Sequence, residues 1–95
     1  MNHQPRIEQS TDPLVPDPQV TLEHVGSQAV LYDRRNGQAH VLNGSAARLW
    51  ELCDGERTID QLTTQFASSY DIPADAVRSD VEQLVASFRD LGVLS

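Results

Sequence analysis

The stretch LNGSAARLWELCDGERTIDQL, from Leu42 to Leu62, decides the fold because it leads from a strand into two successive helices. Asn43 or Ser45 is predicted to cap the first helix, since either side chain can accept a hydrogen bond from the backbone of the first turn. Apolar residues then recur at the spacing of one helical face, at Ala46, Leu49, Trp50 and Cys53. This face is expected to pack on a core, with Trp50 as its anchor.

Two further helices are predicted downstream. Gly55 ends the first helix, and Thr58 with Gln61 fits the capping box that opens the second. The inner side of the second helix carries Ile59, Leu62, Phe66 and Tyr70. The third and longest helix begins at or just after Pro73 and ends at Gly92. Its core stripe is Val77, Val81, Leu84, Phe88 and Leu91.

Three strands are predicted upstream. Alternating apolar residues indicate a first strand in VTLEHV, which ends near Gly26. In QAVLYDRRNGQAHVLN, the dipeptide Asn36-Gly37 favours a hairpin with a two-residue type I′ turn. Such a loop pairs Arg35 with Gln38, Asp33 with His40, Tyr32 with Val41, and Leu31 with Leu42, whereas a longer loop shifts these pairs. The order of elements is therefore β-β-β-α-α-α.

The first part of the chain differs in composition from the rest. Residues 1–18 hold four of the five prolines among polar residues. Such a segment buries too little apolar surface to offset the entropy of ordering it. We therefore expect a flexible tail over 1–18, with no assigned role, and one small folded domain over 19–95.

Charge and hydropathy limit the partners. The chain has fourteen acidic residues against seven arginines and no lysine, giving a formal net charge of −7. A DNA or RNA duplex would meet a repulsive field, so nucleic-acid binding is disfavoured. The N-terminus has no apolar signal-peptide region and no stretch has the roughly 20 apolar residues that span a bilayer. A cytoplasmic protein without membrane association is expected.

No motif for catalysis or cofactor binding is recognisable. The single cysteine, Cys53, lies within an apolar helical pattern and is interpreted as a core thiol. His24 and His40 fall on different predicted strands, and two imidazoles without a third ligand make a weak metal site. We expect neither an enzyme, a metal nor a cofactor.

A DNA-binding function is the main alternative from another class. From Thr58 onward, helix, break and longer helix follow one another as in winged helix-turn-helix regulators. The third helix, however, offers Arg78, Gln83 and Arg89 against four acidic residues, and the hairpin precedes the helices instead of following them as a wing. A winged-helix DNA-binding or co-regulatory domain stays open as the second hypothesis, and a general protein-interaction module as the third.

One resemblance to a known family is carried by HVLNGSAARLWELCDGERTIDQL and the later DVEQLVASFRDLGVL. These blocks resemble the PqqD-like family, the peptide-binding domains called RiPP recognition elements. The family pattern is a strand ending in Leu-Asn, then a helix with an aliphatic-Trp-x-Leu motif, then Asp-Gly. Here it corresponds to Leu42-Asn43, Leu49-Trp50-Glu51-Leu52 and Asp54-Gly55, and the likeness covers about residues 19–95.

The resemblance implies an α+β, winged-helix-like fold in which a three-stranded antiparallel N-terminal sheet packs on three helices. It also implies a peptide chaperone without catalysis of its own. Such domains bind the leader segment of a ribosomally synthesised precursor peptide and present it to a modifying enzyme, such as a radical-SAM protein, a protease or a cyclase. The leader adds as a strand beside the third strand, over a groove completed by the third helix.

The expected leader-binding residues follow from that geometry. The strand contributes Gln38, Ala39, His40, Val41 and Leu42, and the helix contributes Arg78, Val81, Glu82, Val85 and Arg89. Val81 and Val85 are predicted to receive an apolar leader side chain, while Arg78 and Arg89 pair with leader carboxylates. These helix residues also fit an ordinary solvated flank. An open strand edge can equally be covered by a second copy of the chain, so a homodimer also stays open.

Overall fold

The computed structural model describes residues 13–95, which form a three-stranded sheet followed by three helices. The strands are β1 (Val20–Val25), β2 (Gln28–Asp33) and β3 (Gln38–Leu42), and the helices are α1 (Gly44–Leu52), α2 (Ile59–Ser69) and α3 (Ala74–Asp90). The predicted element order and the α+β class are confirmed.

The sheet is antiparallel, with β2 between β1 and β3. A two-residue loop joins β1 to β2, and its first residue, Gly26, has a φ of 63°. A positive φ at this position is typical of a type II′ turn, whose twist matches that of the flanking strands. Because β2 lies in the middle, β1 and β3 are the two edges of the sheet.

The predicted register of the β2–β3 hairpin is wrong by two residues. Asp33 pairs with Gln38 and Leu31 with His40, because the loop has four residues. Gly37 alone in this loop has a positive φ, 72°, whereas a type I′ turn needs two such residues. A shift of two preserves the alternation of faces, so Leu31 and Leu42 still lie on the side that faces the helices.

The helices begin where the sequence predicted. The Asn43 side chain, and not that of Ser45, caps α1 by accepting a hydrogen bond from Ala46 N at 2.8 Å. Thr58 and Gln61 form the expected capping box of α2. Helix α1 lies across the sheet, and its Trp50 ring meets the ring of Phe88 from α3 edge-on at 5.3 Å. Tyr70, predicted on the inner side of α2, is instead a 45% exposed cap residue whose ring lies 5.0 Å from that of Phe66 at a tilt of 56°.

The last part of the predicted tail belongs to the folded body. Leu14 is only 1% exposed and joins the hydrophobic core, and its backbone N–H donates to Arg57 O at 2.9 Å. Pro16 pairs with Leu94 in an isolated bridge. The prediction of a flexible tail is therefore wrong for residues 13–18, because one leucine among the prolines buries its side chain and the chain end supplies backbone partners. Residues 1–12 lie outside the described part.

Candidate functional site

Strand β3 has an unpaired edge. Within residues 13–95 it pairs with β2 on one side, and no strand lies on the other. Natural proteins usually protect such an edge, because its free N–H and C=O groups can pair with another chain. The strand residues predicted as site residues, Gln38 to Leu42, are contiguous in this edge strand.

The hydrogen-bonding pattern identifies which backbone groups face outward. Arg34 N donates to Gln19 O at 3.0 Å, so the even-numbered residues of β2 bond to β1. The odd-numbered residues of β2 therefore bond to β3, where their partners are Gln38, His40 and Leu42. By the same alternation, Ala39 and Val41 direct their N–H and C=O groups to the free edge.

The side chains of β3 divide between the two faces of the sheet. Those of Gln38, His40 and Leu42 lie on the helix side, where His40 and Leu42 are half-buried. Those of Ala39 and Val41 lie on the outer side, and Val41 is 65% exposed. A peptide added at this edge would therefore extend both a helix-facing surface and an outer surface.

The helix residues predicted for the site do not form the wall beside β3. Val81 and Val85 are 0% and 1% exposed and belong to the core, so the prediction that they receive a ligand side chain is wrong. Arg78 turns toward α2, where its Nη1 lies 2.9 Å from Asp60 Oδ1. Glu82 and Arg89 are exposed on the same flank as Arg78, at about 40° and 20° from it around the helix.

The opposite flank of α3 faces the β3–α1 junction. A cleft of about 310 Å³ opens here, between the β3–α1 junction, α2 and α3. It is lined by Asn43, Ser45, Phe66, Asp80, Gln83, Leu84 and Ser87. The α3 members recur at one face of the helix, with a spacing of three or four residues. This cleft, which we call the junction cleft, and the β3 edge together form the candidate site.

Sequence reasoning missed the junction cleft because it misjudged the rotation of α3. Leu84 and Leu91 were placed in the core stripe, yet Leu84 is half-buried and Leu91 is 40% exposed. Val85 takes their place in the core. The signal was ambiguous, because the apolar stripe of α3 is wider than one buried face and several rotations satisfy it.

Arg35 in the β2–β3 loop fixes the hairpin against the end of α3. Its guanidinium donates to Asp33 through Nε at 2.8 Å and Nη2 at 2.7 Å, and through Nη1 to Gly92 O at 2.7 Å. The hydrogen bond from Arg35 is the largest cause that lowers the pKa of the Asp33 carboxyl, to about 2. The far end of α3 thus lies at the hairpin loop, while its middle borders the β3–α1 junction.

The remaining candidate groups lie elsewhere. Cys53 is buried, and burial raises the pKa of its thiol to about 12. His24 Nε2 lies 3.2 Å from Glu51 Oε2, at the end of the sheet away from the hairpin loop. Among residues 13–95, no group of His, Cys, Asp or Glu side chains is arranged to hold a metal ion. None of the described helices is long and apolar enough to cross a membrane.

Comparison with known proteins adds two kinds of likeness. Residues 28–94 match the family model described as coenzyme PQQ synthesis protein D, PqqD. No protein among those with curated descriptions matches the sequence. Three solved structures share the fold.

The first is TbiB1 in complex with the TbiA(beta) leader peptide, with a TM-score of 0.72 and 16% identity over 85% of this chain and 94% of that one. The second is lasso peptide synthetase B1 complexed with the leader peptide, with a TM-score of 0.70 and 21% identity over 86% and 96% of the two chains. The third is the PqqD truncation of Methylobacterium extorquens PqqCD, a stand-alone RiPP recognition element, with a TM-score of 0.74 and 20% identity over 90% and 92%.

Proposed function

Because the chain belongs to the PqqD family, we propose that it binds the leader segment of a ribosomally synthesised precursor peptide and presents that peptide to a modifying enzyme. Two proteins of the same fold are described in complex with leader peptides, and a third as a stand-alone recognition element. In this proposal the chain acts in the cytoplasm and performs no chemistry itself. A radical-SAM protein, a protease or a cyclase carries out the modification.

The open edge of β3 is the observation that carries the proposal. Ala39 and Val41 present their backbone groups to a partner strand, and the junction cleft lies where β3 leads into α1. Backbone pairing supplies affinity that tolerates many peptide sequences, while the cleft selects among side chains.

The strand residues Gln38, Ala39, His40, Val41 and Leu42 remain in the proposed site. On α3, the proposal moves the contact from Arg78, Glu82 and Arg89 to the flank that lines the junction cleft. The reason is geometric, since the first flank turns toward α2 and its arginine already binds Asp60.

An NMR titration tests the proposal. The probe is a synthetic leader half of a short precursor peptide encoded beside the gene of this chain, added to the full ¹⁵N-labelled chain. We expect the largest shift changes in residues 38–43 and on the cleft side of α3. Hydrogen exchange should slow at the Ala39 and Val41 amides, because these gain partners. The His40 and Leu42 amides already bond to β2 and should change little.

The matched control is the other half of the same precursor, which should leave these signals unchanged. Shift changes centred on β1 would contradict the proposal, as would failure of every neighbouring precursor to bind. Binding to random duplex DNA with a steep salt dependence would instead support a DNA-binding domain.

A further inference from the structure

The junction cleft combines an apolar floor with a carboxylate at its rim. Phe66 is buried and Leu84 half-buried, and between them they supply the apolar surface. Asp80 lies on the same α3 flank, with the polar side chains of Gln83 and Ser87. A volume of about 310 Å³ is at the lower limit for ligand sites, so the cleft suits a single long side chain.

Asp80 has no cationic partner among residues 13–95. Two described arginines bind other groups: Arg78 contacts Asp60 of α2, and Arg48 contacts Ser69 and Glu51. Arg89, which forms no ion pair within 13–95, follows Asp80 by nine residues and so lies about half a turn away around α3. Asp80 thus lies exposed at the rim of the cleft and forms no ion pair within the described part of the chain.

An uncharged occupant fits this arrangement poorly. A purely apolar side chain in the cleft would remove water from the Asp80 carboxylate and give no hydrogen bond in return, which is unfavourable. A lysine or arginine side chain complements both the apolar floor and the carboxylate of the cleft. Its aliphatic stem covers Phe66 and Leu84, and its charged end reaches the carboxylate at the rim.

We infer that the leader peptide of this chain carries a lysine or arginine that enters the junction cleft and pairs with Asp80. This inference rests on the proposed function, since the residue reaches the cleft from a strand paired with β3. The cation belongs to the helix-facing side of the added strand, near the β3–α1 junction. The net charge of −7 also favours the approach of a basic segment to the chain.

Selection from a random peptide library tests the inference. The probes are 12-residue peptides selected on the full chain and, separately, on the Asp80→Asn and Asp80→Lys variants. We expect lysine or arginine to be enriched at one position among wild-type binders. A representative binder should lose about fivefold in affinity on Asp80→Asn, the upper range for an ion pair at a solvent-exposed carboxylate. The Asp80→Lys variant should select aspartate or glutamate at that position.

Glu82→Gln is the matched control, since Glu82 is an exposed acid of α3 on the flank away from the cleft. Its affinity for the same binder should stay within about twofold of wild type. Binders that shift the β3 amides but show no preferred cation, or retain it with Asp80→Asn, would overturn this inference and leave strand addition intact. A library without any binder at β3 would overturn both.

Discussion

Asp33 shows how one residue connects the sheet to the helices. Its carboxylate is 1% exposed and accepts hydrogen bonds from both the side chain and the backbone of Arg35. The same guanidinium reaches the carbonyl oxygens of Leu91 and Gly92. Neutralising Asp33 would leave this arginine without its principal partner, and a buried carboxyl without a charge-assisted bond.

The stability of the folded chain should depend on pH through Asp33. The pKa of Asp33 is lowered from 3.8 to about 2 in the folded chain, so its contribution to stability is complete above about pH 4 and is lost as the pH falls toward 2. Urea unfolding should show a falling midpoint across this window. At pH 7 the Asp33→Asn variant should unfold at a lower urea concentration than the wild type. Its urea midpoint should fall less than that of the wild type when the pH is lowered.

Asp90→Asn is the control for that experiment, because Asp90 is exposed and forms no ion pair within residues 13–95. It should follow the wild-type curve. If Asp33→Asn and wild type had equal midpoints at pH 7, the proposed contribution of the Asp33–Arg35 pair would be absent.

Among the elements, β3 provides the sharpest test of strand addition. The N–H of Val41 faces the free edge and is not part of the β2–β3 ladder, and its side chain is 65% exposed. Val41→Pro should therefore change stability little, since edge strands tolerate proline where the N–H is not bonded. It should weaken leader-peptide binding about tenfold or more, through the lost donor and the added ring. Isothermal titration calorimetry measures the affinity of the variant and of the wild type for the peptide.

His24→Pro is the matched control, because His24 directs its N–H to the free edge of β1 by the same alternation. Its peptide affinity should equal that of wild type. Equal weakening by both prolines would indicate a general loss of sheet structure, and no weakening by Val41→Pro would place the peptide elsewhere.

The elements also show what the sequence could predict. Caps and periodicity identify all six described strands and helices, because these signals are local. The loop length of the hairpin was missed, since Asn36-Gly37 is compatible with more than one turn, and the long-range contact of Arg35 with Gly92 is not visible in the local sequence. The rotation of α3 was missed for a similar reason. Which of Leu84 and Val85 is buried depends on packing against α1 and α2, and periodicity contains no such information.

For the whole molecule, the two ends of the described chain stabilise each other. Asp17 N donates to Val93 O at 2.9 Å, and Ser95 N donates to Val15 O at 3.0 Å. Leu14 is buried beside them in the core. The segment 13–18 therefore belongs to the cooperative unit, although its proline-rich composition suggested otherwise.

Replacing Leu14 tests this conclusion. Leu14→Ala should lower the free energy of unfolding by about 2–5 kcal/mol, the usual effect of removing a buried leucine side chain. Val15→Ala is the adjacent control, because Val15 is 46% exposed, and it should change stability by less than about 0.5 kcal/mol. Urea unfolding monitored by Trp50 fluorescence measures both variants. Equal effects of the two substitutions would show that Leu14 does not stabilise the fold and that residues 13–18 behave as a tail.

The free edge of β3 also limits the lifetime of the complex with a bound peptide. Ala39 and Val41 each offer one N–H and one C=O, so pairing involves four backbone groups. At about 1 kcal/mol net for each bond, pairing alone corresponds to a dissociation constant of about 1 mM, and cleft contacts that added about 4 kcal/mol would bring it to about 1 μM. With an association rate of about 10⁶ M⁻¹s⁻¹, a micromolar complex lasts about one second. Such a lifetime suits a carrier that must release each peptide before it can serve the next.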